Sequence, residues 1–277
     1  MIYLDIDLSI NPEEISIIIK DFIKTYVKNS GYKSIVLGLS GGIDSAVTAL
    51  LCSSAIGKKN TRCVFLPDGS TPYLDIKHLE LFVKKFDLLC EKKDISSLVR
   101  NIESKCIVKP NEYALANIKA RTRMILLFEY ANMIRSLVCG TSNKSEILVG
   151  YFTKYGDGGV DIMPIGDLYK TQVCKLAEYL KVPGELVSKP PTAGLIKGQT
   201  DEKELKLGYR HLDKILMGLE QKMDIDEIVN IVGVKKSDVE RVKNMRIKSQ
   251  HKRRIPLIPK IGIRTPGLDW RSPVQQG

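Results

Sequence analysis

The sequence has no CxxC pair. None of its six cysteines, Cys52, Cys63, Cys90, Cys106, Cys139 and Cys174, lies within four residues of another. That spacing excludes zinc-ribbon and thioredoxin-like chemistry and leaves the cysteines as reduced, buried members of apolar runs. Histidine is scarce, with three in the chain, and no Ser-His-Asp or Cys-His constellation stands out, so covalent nucleophilic catalysis is not indicated. No apolar run approaches the length that crosses a bilayer. The opening MIYLDIDLSINPEE lacks the basic region and apolar core of a secretory leader. The expected compartment is the cytoplasm, where the sequon Asn143-Lys144-Ser145 has no consequence, and no membrane partner is expected. Internal repeats, low-complexity segments and a clear linker are also missing.

Positive charge, in contrast, is abundant: 43 Lys and Arg against 32 Asp and Glu give a formal net charge of +11. Such a surplus suits nucleic acid or a small molecule with several phosphates, and it equally suits a lysine-rich solvated surface. The basic residues are spread along the chain, with one tight run at His251-Lys252-Arg253-Arg254. No basic stripe interleaved with aromatics is visible, so nucleic acid is not the expected partner.

Residues 12–30 read as an amphipathic helix, with Pro12 in its first turn and Gly31 after its end. Short β-rich runs follow at 34–39, 61–66, 87–91 and 136–139, separated by helical patterns at 44–56, 74–86 and 111–134. This alternation predicts an α/β fold, a doubly wound parallel sheet covered on both faces. Residues 171–182 and 201–217 read as further helices, and 224–248 as a helix pair broken at Gly233. The expected organisation is one domain over 1–277, with a sheet core at about 31–180, a helical C-terminal portion at about 181–254 and an unplaced tail at 255–277.

Within SIVLGLSGGIDSAVTALLC, residues 34–52, a strand-like run enters a turn and a helix-like run leaves it. Sheets of this kind bind ligands beyond the carboxyl ends of their strands. The turn Gly38-Leu39-Ser40-Gly41-Gly42-Ile43-Asp44-Ser45 supplies glycines for close backbone approach, two hydroxyl donors and a helix start with unpaired N–H groups, which together suit phosphate. It is not a Walker A loop, because the lysine is missing, and it is not a GxGxxG fingerprint. The carboxylate of Asp44 would repel bare phosphate unless a divalent cation bridged them, so the expected ligands are pyrophosphate on the turn and Mg2+ on Asp44.

SGGIDS resembles the pyrophosphate-loop signature of the N-type ATP pyrophosphatases, which adenylate an oxygen and release pyrophosphate. Four more stretches narrow the resemblance: NIKARTRMILLFEYAN (117–132), GTSNKSEILVGYFTKYGDGGVDIMPIGDLYKTQV (140–173), PPTAGLIKGQTDEKELKLGYRHLD (190–213) and HKRR (251–254). In that order, and over most of the chain, they are similar to ammonia-dependent NAD synthetase. The resemblance implies an adenine nucleotide alpha hydrolase-like, Rossmann-like sheet. It also implies ATP-dependent amidation of nicotinic acid adenine dinucleotide (deamido-NAD) by ammonia, through an adenylated acid, giving NAD, AMP and pyrophosphate. Two alternatives remain at this point: a tRNA-modifying member of the same superfamily, which the charge suits and the missing CxxC opposes, and a non-catalytic nucleotide sensor, which Asp44 and Glu146 oppose.

Carried over by position, the resemblance places Glu146 beside Asp44 as a second Mg2+ ligand. Thr141, Lys170 and Thr192 join the glycine turn on ATP, and Arg121, Lys154, Asp161, His251 and Lys252 bind deamido-NAD. Arg123, two residues from Arg121 and on another helix face, is expected to form an ordinary ion pair. The second half of the 111–134 helix is apolar nearly all round, so burial on most faces is expected. Ala114, Ile118, Arg121, Ile125 and Phe128 recur at steps of four and three and form one stripe. A homodimer with the dinucleotide near its interface is therefore expected. Ammonia, not glutamine, is the expected nitrogen source, since 277 residues leave no room for an amidase domain beside the sheet; a separate glutaminase partner is compatible with this.

Overall fold

The structure, a computed structural model, describes residues 6–190 and 201–266. Its first part runs α1 (Pro12–Asn29), β1 (Ile35–Gly38), α2 (Ile43–Ile56), β2 (Thr61–Phe65), α3 (Tyr73–Phe86), β3 (Leu89–Lys92), α4 (Ser96–Ser104), α5 (Glu112–Ile134) and β4 (Leu137–Cys139). There follow α6 (Lys144–Val149), α7 (Lys170–Tyr179), α8 (Gly184–Val187), α9 (Asp201–Leu205), α10 (Tyr209–Glu220), α11 (Ile225–Val232) and α12 (Lys236–Lys248).

The strands form one parallel sheet in the order β3-β2-β1-β4. In the central strand β1, side chains alternate between the two faces. Ile35 and Leu37 enter a core with Ile23 of α1, Leu51 of α2 and Leu176 of α7. Val36 points the other way, to Val99 of α4 and Ala131 of α5. Helix α1 starts where Asn11 accepts the N–H groups of Glu13 and Glu14, at 3.1 and 3.3 Å, and it buries the regularly spaced Ser16, Ile19, Ile23 and Val27.

β1 is flanked by β2 on one side and β4 on the other, so successive crossovers leave in opposite directions at its carboxyl end. This is the topological switch point where open α/β sheets form a crevice. A third core, built around Leu212, Ile215, Ile228 and Val239, packs the C-terminal helices onto Val149 of α6 and Tyr169.

Three expectations change. The helix expected over 201–217 is two helices, broken by Lys206 at φ 52° and restarted after Gly208. The strand expected at 87–91 is an edge strand at Leu89–Lys92, with little burial. Helix α5 is not buried on most faces within one chain: Ile125 is 56% exposed and Met133 75%.

Candidate active site

A cavity of about 280 Å³ opens at the carboxyl ends of β1, β2 and β4. One wall is apolar, formed by Leu39, Val64, Leu66, Met124 and Leu127; the floor is the glycine turn, and the far end is acidic and basic together.

The turn folds as its residues dictate. Gly41 sits at φ +79°, with the space its side chain would take bounded by the Asp75 carbonyl. Gly42 is the N-cap of α2 and supplies no side-chain acceptor to the first turn. Buried Ser45 donates to the Gly42 carbonyl at 2.9 Å and accepts the Ser40 N–H at 3.2 Å, while Ser40 Oγ accepts the Gly42 N–H at 3.2 Å. Gly38, Leu39, Ser40, Gly42, Ile43, Asp44, Ser45 and Thr141 all line the cavity; Gly41 shapes the turn and does not line it.

Opposite the turn, Asn143 caps α6 and aligns both acidic groups. Its side-chain oxygen accepts the Glu146 N–H at 3.0 Å, its own N–H donates to Glu146 Oε2 at 3.3 Å, and its Nδ2 donates to Asp44 Oδ1 at 2.9 Å. Lys170, the first residue of α7, places its Nζ between the two carboxylates, in contact with Asp44 Oδ2 and 3.6 Å from Glu146 Oε1. Burial pushes the Glu146 carboxyl up, and the neighbouring Asp44 adds to the effect. Burial opposes charge on Lys170 as well, but Asp44 and Glu146 outweigh it and raise its pKa above the usual lysine range. Two convergent carboxylates around a cation, open to a cavity, are a donor set that fits Mg2+, which takes one or two protein carboxylates and fills its octahedron with water and phosphate oxygens. Among the described residues no cluster of three or more metal-ligating side chains occurs.

The residues expected at the dinucleotide are separate from this centre. Lys154 and Lys252 line a second hollow, with Phe152 and Tyr155. Lys252 donates to the carbonyls of Gly150 and Phe152 at 2.7 and 2.8 Å, and burial lowers its pKa. Arg121 is exposed on α5 and reaches the Lys154 carbonyl at 3.3 Å. Asp161 accepts the Val138 N–H at 2.7 Å and so helps hold β4. His251 is exposed, and Thr192 lies outside the described residues. Arg123 forms the expected ion pair, 3.4 Å from Asp68, which also holds Lys119 at 3.1 Å.

Sequence reasoning missed Asn143, although its N-x-x-E spacing to Glu146 is a capping-box signal. It also missed the ion pair between Lys189 and Asp75, at 2.8 Å on the cavity wall, and Asp157 and the buried Asp201, which both line the cavity. Burial pushes the Asp201 carboxyl up.

Residues 15–256 match the family model NAD synthase. An NH(3)-dependent NAD(+) synthetase of Saccharolobus solfataricus is 42% identical over 274 residues, covering 98% of this chain and 98% of that protein. Among solved structures, an NMN synthetase from Francisella tularensis is similar with a TM-score of 0.81 and 30% identity, over 91% of this chain and 100% of that one. An NH3-dependent NAD synthetase from Campylobacter jejuni has a TM-score of 0.78 and 31% identity, over the same shares of the two chains.

Proposed function

The chain belongs to the NAD synthase family, and from that premise we propose how its site carries out the ATP-dependent amidation of deamido-NAD by ammonia. It is a ligase that forms a C–N bond in the last step of NAD biosynthesis. The observation that carries the mechanism is the Asp44–Lys170–Glu146 constellation facing a glycine turn across one cavity.

Adenosine occupies the apolar wall and the triphosphate runs over the turn, where the backbone N–H groups at the start of α2 and the hydroxyls of Ser40 and Ser45 receive the β- and γ-phosphates. Asp44 and Glu146 would hold Mg2+, which when bound would supply neutralisation of phosphate charge. Lys170 exchanges carboxylate contacts for phosphate oxygens as ATP enters. Thr141, and Thr192 by position, complete the nucleotide contacts.

The carboxylate of deamido-NAD attacks the α-phosphorus, pyrophosphate leaves into the turn, and ammonia then displaces AMP at the acyl carbon. No protein nucleophile is required; catalysis is positioning and charge neutralisation. Arg121, Lys154, Asp161, His251 and Lys252 hold the dinucleotide. A second copy of the chain completes that region, and the exposed Ile125 and Met133 of α5 support this. The chain works as a single synthetase unit in the cytoplasm.

Isotope exchange between pyrophosphate and MgATP tests the first step. Exchange should require deamido-NAD. Exchange supported better by nicotinic acid mononucleotide would move the substrate assignment to that acid, and exchange without any acid would remove it.

A further inference from the structure

Asp213 lies on α10, outside the cavity, and its side chain is fully buried. One carboxylate oxygen accepts Ser145 Oγ at 2.5 Å, and the other accepts the backbone N–H of Thr171 at 2.8 Å. Ser145 Oγ in turn accepts the backbone N–H of Lys170 at 2.9 Å, which closes a ring of hydrogen bonds. The chain neighbours of these partners give the ring its meaning. Ser145 directly precedes Glu146, and Thr171 directly follows Lys170. Asp213 therefore grips the residue beside each of the two groups that meet across the cavity, from the helix whose first residue, Tyr209, also lays its ring 5.4 Å from the Lys170 ammonium.

We propose that Asp213 is a positioning residue for adenylation, fixing the Lys170 ammonium in register with Glu146 and Asp44. The inference rests on the reading of the site given above. Both of its partners donate, so the position needs two acceptor oxygens, and a carboxylate supplies them where an amide supplies one. At the start of α7 the Gln172 side chain accepts the Tyr169 N–H at 2.9 Å, and Asp213, from another helix, accepts the Thr171 N–H of the first turn, where the dipole favours its charge. Helices α6 and α7 are short, with 6 and 10 residues, and the long connection between them is irregular. Without the ring, one helix start can slide against the other, and a displacement of about 1 Å in a reacting constellation costs on the order of 100-fold in rate.

The test is deamido-NAD-dependent ATP–pyrophosphate exchange by Asp213→Asn, Ser145→Ala and the double variant, each checked for folding by circular dichroism and for melting temperature. Both single variants should lose on the order of 10-fold or more in kcat, with KM for ATP changed by less than about threefold. The double variant should be no worse than the weaker single, because both changes open the same ring. If Asp213→Asn fails to fold, Ser145→Ala alone decides. Ile215→Val, on the core face of the same helix, serves as the control for a simple loss of stability and should keep wild-type kcat below its melting temperature. Unchanged kcat in folded variants, losses that multiply in the double variant, or an equal loss in Ile215→Val would overturn the proposal. Wild-type protein without exchange activity would instead remove the functional reading on which it rests.

Discussion

Asn143 explains why two acidic residues far apart in sequence stay together. It spends its backbone N–H and side-chain oxygen on Glu146 and its Nδ2 on Asp44, so both carboxylates are aimed before any ligand arrives. Lys170 then offsets a charge pair that would otherwise repel. From this geometry, Asp44→Asn should abolish exchange, by roughly 100-fold or more, the scale for losing a charge aimed at a transition state. Glu146→Gln should act in the same direction and less severely, since Glu146 lies farther than Asp44 from the Lys170 ammonium. Melting curves near wild type would show that the fold is intact, and wild-type exchange in both variants would remove the metal assignment. Much of this was legible at residue scale: the turn, Asp44, Glu146, Thr141 and Lys170 all meet at one cavity. The capping of α6 by Asn143 was legible in its spacing to Glu146, but its bond to Asp44 and the bond of Asp213 to Ser145 span 99 and 68 residues, which no local pattern reveals.

Among the elements, the strands and the helices beside the turn were legible because their periodicities are strong, whereas α4 and α6 were not. Helix α6 is six residues long, too short for a periodic signal, and its identity lies in its caps. The start of that helix carries Glu146, and its end is Gly150, at φ +74°. A Cβ there would lie 2.2 Å from the Cβ of Ser249. Arg253 locks the same turn by donating to the carbonyls of Ile147 and Leu148 at 3.0 and 2.8 Å. Gly150→Ala should therefore destabilise by about 2–4 kcal/mol, combining left-handed strain with overpacking, and thermal melts measure it. A change within a few tenths of a kcal/mol would mean that this turn yields easily. The 201–217 segment shows the opposite limit: its pattern is helical throughout, yet Lys206 adopts positive φ and Gly208 follows, so Tyr209 begins a new helix. Tertiary contact holds that break, as Arg241 of α12 donates to the carbonyls of Leu205 and Lys206.

For the molecule as a whole, the stripe on α5 is the feature a single chain leaves incomplete. Arg121 and Ile125 face outward, with Tyr113 67% exposed near the start of the helix and Met133 75% exposed near its end. If a second copy covers this face, Ile125→Asp should shift the protein from dimer to monomer in sedimentation velocity at micromolar concentration. Arg121→Ala should weaken deamido-NAD binding far more than ATP binding. A wild-type monomer with full activity would contradict the assembly. Family membership rests on likeness along nearly the whole chain, since the Saccharolobus relative, named as NH(3)-dependent, is covered over 98% of its own length. The central claim is tested most directly by product analysis with MgATP, deamido-NAD and either ammonium chloride or ammonia-free glutamine. The account predicts NAD, AMP and pyrophosphate in equal amounts with ammonium and no NAD with glutamine; formation of ADP and phosphate, or robust NAD synthesis from glutamine alone, would contradict it.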